Sequence, residues 1–422
     1  MGTDVISLII FLFCIVLFIW EKLPMATTAI LGCVLMVVFG VCDFKTAFGQ
    51  FSSPTVILTA GVMVIGLSLS ETGLAAAVGR WIVRVARGSE TMLIAGTYLV
   101  AAAMSAFLTN SAVLAIFLPI ILGLAQSEKQ IKSRNLIMPI AIGCVLGGAS
   151  TLVGSTQQLT AQGLLEDAGL RTFHTFDFTP VGSVVVLFGC VYCLTAGRRL
   201  GEKIWGSREE DVDYAIPETG TDSGKGKMGI MALIFAMTVL LYITEWVPIA
   251  VTSTSAALLC IITGCITQKK AVMGINWNIV GRLAGCLGIA KAIEAAGGTA
   301  LIAAAFRRII GTEVNPYLLF CLLVLLSQGM SELTVASTGL MMLIPILAAI
   351  APEMGLDPYP YALGITLASG CALATPLASS TLGMSMAAGY RFNDYFRHNI
   401  YLDLCSYVII ITLIPLMYTL TV

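Results

Sequence analysis

The sequence predicts an all-α polytopic membrane protein built as two inverted repeats, each with five crossings and one re-entrant hairpin. Three observations carry that reading. Of 422 residues, 58% are hydrophobic and only 11% charged, against roughly 45–50% and about 25% in soluble domains. So few ionisable side chains cannot cover a water-facing surface, which excludes a soluble enzyme. Apolar runs of span length follow one another along the whole chain, and four of them are broken near the middle. The broken runs and their surroundings recur at a nearly constant offset.

The simple spans, at ~20 residues each, run about 5–20, 25–42, 55–69, 181–196, 228–242, 249–266, 278–293 and 399–420. No basic residue precedes the first span and no A-x-A-like site follows it, so a retained span is expected rather than a signal peptide. Four longer stretches cover 91–126, 136–165, 316–352 and 361–390. They are interrupted by Leu108-Thr109-Asn110-Ser111, by Gly154-Ser155-Thr156-Gln157-Gln158, by Ser331-Glu332-Leu333-Thr334 and by Ser379-Ser380-Thr381.

The run from Val16 to Pro24 is echoed from Leu240 to Pro248, an offset of 224 (248 − 24). Ser105 to Ser111, with Pro119, is echoed from Ser331 to Ser337, with Pro345, at an offset of 226. Phe176-Asp177-Phe178 has a looser echo in Asn393-Asp394-Tyr395-Phe396. Residues 1–200 therefore form a first repeat, with hairpin 91–126 and broken helix 136–165. Residues 228–422 form a second, with hairpin 316–352 and broken helix 361–390. The polar stretch 201–227 between them reads as a linker, too short for a domain.

If 91–126 turns back at Asn110, each copy crosses the bilayer an odd number of times and the second copy is upside down. Loop charges agree. With both termini outside and the linker cytoplasmic, 17 of the 23 Lys and Arg fall on the cytoplasmic side and 4 outside, as the positive-inside rule requires. The cell (inner) membrane is the expected location. The segments 75–86 and 299–310 mix Arg with apolar residues at helical spacing and suit interfacial helices.

Other chemistries have little material. Twelve Cys lie almost wholly in apolar runs, and Cys190 with Cys193 has no second pair to complete a zinc site. His174 and His398 are the only two His. No cofactor is expected. A net charge of −1 without a basic stripe argues against nucleic acid.

In hydrocarbon, a broken helix persists only where it lines a cavity or ligand. Two hairpin tips facing two broken helices form the arrangement of a secondary transporter. Exposed helix N-termini suit an anion, and free carbonyls and hydroxyls suit Na⁺.

Gly147-Gly148-Ala149-Ser150-Thr151-Leu152-Val153-Gly154-Ser155, Leu164-Leu165-Glu166-Asp167-Ala168-Gly169 and Phe176-Asp177-Phe178-Thr179-Pro180-Val181-Gly182 resemble the divalent-anion/sodium symporter family, whose members carry dicarboxylates, citrate or sulfate. Thr109-Asn110-Ser111 resembles the family's Ser-Asn-Thr hairpin tip, and Ser331-Glu332-Leu333 its Thr-Glu-Phe. The resemblance spans nearly the whole chain, although the family usually has one further span before the first one here. It implies one Na⁺ site made by Ser105, Thr109, Asn110 and the Gly154 carbonyl, and a second made by Ser331, Thr334 and Ala378. Asn110, Ser111, Ser155, Ser337 and Ser379 would face a small anionic substrate. It also implies a homodimer in the lipid bilayer whose hairpin-bearing part moves like an elevator.

The chain departs from the family at the second tip, which reads Val335-Ala336-Ser337, and at both Pro-Pro-Asn positions, here Thr156-Gln157-Gln158 and Ser380-Thr381-Leu382. Coupling to H⁺ through Glu332, or anion exchange on the same fold, therefore stays open beside Na⁺ coupling. Glu332 is a functional candidate because a carboxylate in lipid is unfavourable, and equally a structural partner of the hairpin backbone. Thr109, Ser111 and Ser337 also fit ordinary contacts between membrane helices. Lys291 and Glu294, with Arg282 earlier on the same helix, read as a helix pair or scaffold contact, and Glu21 and Glu245 as interfacial residues.

Overall fold

The computed structural model describes residues 2–20, 23–74, 77, 81, 89–127, 132–206, 225–298, 301, 315–333 and 337–421. The interfacial arms 75–86 and 299–310 fall almost wholly outside them, as do Glu21, Thr334, Ala336 and most of the linker. Among the described residues the chain is helical, without β-strands.

Among the described residues the first half holds α1 (Thr3–Trp20), α2 (Met25–Val38), α3 (Phe44–Phe48), α4 (Pro54–Glu71), α5 (Glu90–Ser105), α6 (Asn110–Ser127), α7 (Ser133–Gly148), α8 (Thr156–Asp167) and α9 (Thr179–Tyr192). A π-helical turn at Cys193–Gly197 joins α9 to α10 (Arg198–Trp205). Then come α11 (Lys225–Thr244), α12 (Ile249–Ile262), α13 (Gln268–Gly274), α14 (Trp277–Ala295), α15 (Pro316–Leu333), α16 (Ser337–Met354), α17 (Pro358–Gly370), α18 (Ser380–Ser385) and α19 (Phe392–Met417). Helix α10 thus carries regular structure into the stretch read as linker, and α11 begins inside it.

Among the described residues, five helical runs, 44–71, 179–205, 227–244, 316–333 and 392–417, are long and apolar enough to cross a membrane, and a sixth counts if α13 and α14, bent by 56°, form one span. The other apolar helices are shorter, 10–17 residues. Large apolar side chains face outward along several of these helices, among them Leu187, Leu233, Leu240, Leu318 and Val408. That surface suits hydrocarbon rather than water.

Local sequence sets the helix starts. Ser53 and Ser89 accept from backbone N–H groups at the starts of α4 and α5, and Asp43 and Thr267 do the same for α3 and α13. Asp177 accepts from the His174 amide just before α9, and Asp394 from the Arg391 amide at the start of α19. The last contact starts α19 at Phe392, earlier than hydropathy places the span.

Packing then crosses between the halves. Helix α2 lies along α14 and α4 along α12. Small residues allow the approach: a Cβ at Gly61 would press on Ser253, and one at Gly285 on Ala29. Within each half α5 packs on α7 and α15 on α17, while α8 meets α16 and α18 meets α6.

Outside the apolar region, the loop between α11 and α12 is clasped to the loop before α9. Glu245, in the left-handed region at φ 50°, accepts from the Thr175 amide at 3.1 Å and meets His174 Nδ1 at 2.8 Å. Partial burial works against the charge, but these hydrogen bonds outweigh it and hold the Glu245 carboxyl below its ordinary range.

Candidate functional site

Both long helical hairpins and both broken helices converge on one cavity of about 410 Å³. The tip between α5 and α6 brings Thr109, Asn110 and Ser111, and the start of α16 brings Ser337. The break between α7 and α8 brings Gly154, Ser155, Thr156 and Gln157, and the break before α18 brings Ala378, Ser379, Ser380 and Thr381. Helices α4 and α14 close the remaining side with Thr59, Val62, Met63, Ile279 and Arg282.

Asn110, Ser111, Ser155, Ser337 and Ser379, the residues assigned to substrate from sequence, all line this cavity. Of the first expected Na⁺ set, Thr109, Asn110 and Gly154 line it, and Ser105 lies fully buried behind the tip. Of the second set, Ala378 lines it and Ser331 is fully buried behind it, while Thr334 lies outside the described residues. Glu332 is not in the lining.

The first tip is knitted to the first break through Asn110. Its side-chain amide meets Ser105 Oγ at 2.7 Å and the carbonyls of Cys144 and Gly154 at 3.2 Å each. With the NH₂ turned toward them, it donates to both carbonyls. With its oxygen turned toward them, it accepts from the Ser105 hydroxyl and faces the two carbonyls oxygen to oxygen, an arrangement that a cation among them stabilises. Glycine permits the approach: a Cβ at Gly148 would overlap the Asn110 side chain. Thr151 Oγ1 donates to the Ala106 carbonyl, which ties the break to the tip.

The second tip is tied differently. Thr375 Oγ1 donates to the Glu332 carbonyl at 2.6 Å, and Glu332 Oε1 accepts from the Ala374 amide at 3.0 Å. Ser331 Oγ donates to the Ser327 carbonyl at 2.8 Å and lies 3.0 Å from Ser369 Oγ. Glu332, read as a coupling carboxylate or a structural partner of the hairpin backbone, bonds through Oε1 to the backbone of the second break rather than to that of its own hairpin.

The breaks start new helices from matched residues. Ser155 (φ −141°, ψ 158°) and Ser379 (φ −144°, ψ 136°) precede α8 and α18 in the same extended conformation. Ser379 caps its helix by accepting from the Thr381 amide, whereas Ser155 Oγ donates to Gln158 Oε1 instead. The first hairpin also meets the second broken helix across the halves: Ser111 Oγ lies 2.8 Å from Ser380 Oγ and 3.3 Å from Thr381 Oγ1. Helices α6 and α8, each of twelve or more residues, begin at the cavity wall, and α16 meets it at Ser337, its first described residue, so the N-terminal amides and dipoles of α6 and α8 favour negative charge there.

Arg282 is the residue the sequence reading misplaced. Lys291 and Glu294 do pair at 2.9 Å, and Lys291 Nζ also donates to the Asp167 carbonyl at 3.0 Å. Arg282 instead turns into the cavity, where Nη2 donates to Ser337 Oγ at 3.3 Å. It is the one ionisable residue among the described lining residues. The signal was present: positions 278, 279, 285 and 286, one helical turn away on either side, hold no carboxylate, and an intramembrane cation is by default a candidate for a binding site. Asp403 was also missed, because it becomes adjacent to Glu332 only in three dimensions.

The sequence matches the citrate transporter family, CitMHS, over residues 15–338 and 239–422. The uncharacterized transporter YfbS of Escherichia coli is 34% identical over 180 residues, 43% of this chain and 29% of that protein. The match to the uncharacterized transporter sll0640 of Synechocystis likewise spans only 31% of the relative's length. The sodium-dependent dicarboxylate transporter SdcS of Staphylococcus aureus is 21% identical over 94% of this chain and 82% of its own. The YdaH transporter of Alcanivorax borkumensis shares the fold, with a TM-score of 0.68 at 14% identity over 93% of this chain and 98% of that one. Matched over most of its length by this family, the chain belongs to the citrate transporter family.

Proposed function

We propose that this chain is a secondary active transporter that moves a small anion of the dicarboxylate, citrate or sulfate class, coupled to Na⁺, by elevator-type alternating access. The observation that carries the anion is the cavity itself: the N-termini of α6 and α8, hydroxyls and amides around it, and Arg282 as its one charge among the described lining residues. A carboxylate or sulfate entering it gains a guanidinium and several N–H and O–H donors, which suits charge-assisted hydrogen bonding. The oxygens gathered at Asn110, with Ser105 and the Gly154 carbonyl, support a Na⁺ seat beside the anion.

Inverted repeats are supported by features that recur at one offset. Left-handed glycines stand at Gly40 and Gly264, and at Gly73 and Gly297, each pair 224 apart (264 − 40; 297 − 73). Ser155 and Ser379, with matching backbone angles, share that offset, as do the helix-capping residues Asp43 and Thr267. The helix contacts are also unchanged when the halves are exchanged: α2 with α14 answers α12 with α4, and α8 with α16 answers α18 with α6.

An elevator reading draws on the same contacts. Helices α1–α4 and α11–α14 knit together as a scaffold, and the hairpins with the broken helices form a second body. The cavity lies between them, so sliding the second body exposes it to either side in turn. In this reading the termini lie outside, the linker is cytoplasmic and two copies pair through their scaffolds.

Uptake of radiolabelled citrate, succinate and sulfate into proteoliposomes, with and without an inward Na⁺ gradient, tests the proposal. Uptake of at least one anion should rise with the gradient. Uptake indifferent to Na⁺ removes the coupling, and no uptake of any of the three removes the anion.

A further inference from the structure

We propose that Gln328, Glu332 and Asp403 form a seat for a second Na⁺, set behind the second hairpin tip and apart from the position that the family resemblance gives it. This rests on the Na⁺-coupling reading above and adds the place where one of the ions sits.

Gln328 and Glu332 stand one turn apart on α15, on the same face, and Asp403 faces them from α19. Gln328 Nε2 donates to the Asp403 carbonyl at 3.0 Å, and the Asp403 and Glu332 carboxyls are within hydrogen-bonding reach of each other. The first oxygen of each carboxyl is accounted for by neighbouring amides of the helix break: Leu373 N–H donates to Asp403 Oδ1 and Ala374 N–H to Glu332 Oε1, both at 3.0 Å. The remaining oxygens, Glu332 Oε2, Asp403 Oδ2 and Gln328 Oε1, are buried without a hydrogen-bond partner among the described residues. Gln328 is 6% exposed and Asp403 4%.

Two facing carboxylates in such a position are strongly unfavourable without positive charge between them. Neither is in an ion pair with a described side chain. A shared proton would join two oxygens and leave the Gln328 carbonyl bare. A hard cation takes several oxygens at once, carboxylate and amide alike, and so satisfies all three.

The first half makes the same point by contrast. At the offset of the hairpins, Gln328 and Glu332 correspond to Ala102 and Ala106 (328 − 226; 332 − 226), and at the offset of the Asp177/Asp394 echo, Asp403 corresponds to Val186 (403 − 217). The three oxygens are therefore no part of what both halves need in order to fold. They occur in the half whose tip carries Ala336 in place of the family's Asn.

Binding of radioactive Na⁺ to the purified, detergent-solubilised chain at fixed pH, without anion, tests this directly. Asp403→Asn and Gln328→Leu should each raise the half-saturating Na⁺ concentration of one component at least ~10-fold, while Asn110→Ala weakens a different component and adds to them in double variants. Gln328→Leu alters no charge, so it keeps the test decisive if Asp403→Asn does not fold; size exclusion and thermal unfolding report folding. Folded variants at 328 and 403 that bind Na⁺ as the parent does overturn this seat alone. A parent chain that binds no Na⁺ overturns it together with Na⁺ coupling, whereas Na⁺ binding without anion uptake overturns only the anion assignment.

Discussion

The two hairpin tips do the same structural task with different chemistry. At the first, neutral groups close on one another: Asn110 bridges Ser105 and the Gly154 carbonyl beside the cavity. At the second, the sequence carries Ala at 336, and the polar groups lie farther back, where Glu332 straps the tip to the Ala374 amide and faces Asp403. The backbone tie is the same in both, a threonine of the break donating to the carbonyl at the end of the hairpin's first helix, Thr151 to Ala106 and Thr375 to Glu332. Main-chain geometry is thus shared by the halves while side-chain chemistry has diverged, so substrate and ion preferences are set residue by residue.

Disrupting the first tip is the most damaging test of that contrast. Gly148→Ala drives a methyl group into Asn110 and should abolish uptake. Asn110→Ala should lower uptake roughly 30–100-fold, the effect of several lost hydrogen bonds at a desolvated site. Proteoliposome assays with normalised protein content check both, and substantial uptake by either variant breaks the assignment of the first tip.

Arg282 sharpens the comparison from the second side, because it donates to Ser337. Arg282→Gln should raise the KM for the anion roughly 10–100-fold, with Arg282→Lys intermediate since it keeps charge but not the planar fork. An unchanged KM removes the guanidinium from the anion site. Ala336→Asn restores the missing amide in sequence. With the ion seated at Glu332, Asp403 and Gln328, it should move the half-saturating Na⁺ concentration by less than about threefold, and a larger shift, read from uptake against Na⁺ concentration, places the ion at the tip.

The smallest effect is expected outside the membrane. Because the folded state holds the Glu245 carboxyl below its ordinary range, its contribution is present at neutral pH and is lost as pH falls through the lowered value. Glu245→Gln should therefore reduce thermal stability slightly at neutral pH, and the difference should vanish under acid conditions. A difference that persists in acid would assign the effect to the strained backbone at position 245 instead.

Much of this was legible because it is local. A hydrophobic run needs no partner to be read, and Thr109-Asn110-Ser111 or Ser379-Ser380-Thr381 stands out against it wherever it falls. Arg282 was legible in principle, as a cation with no carboxylate within a turn, yet its direction depends on the tilt of α14 against α2. Asp403 was not legible as a partner of Glu332, since 71 residues separate them (403 − 332).

The sequence by itself determined that this chain belongs in a bilayer, where its helices break and that its two halves echo each other. Those properties follow from hydropathy, from the backbone's need for hydrogen bonds and from recurrence, and all three are written along one dimension. Only the tertiary structure decided which breaks share a cavity, that a guanidinium enters it and that two carboxyls meet behind it. Burial and charge proximity exist only once distant helices pack, so no spacing along the chain could reveal them.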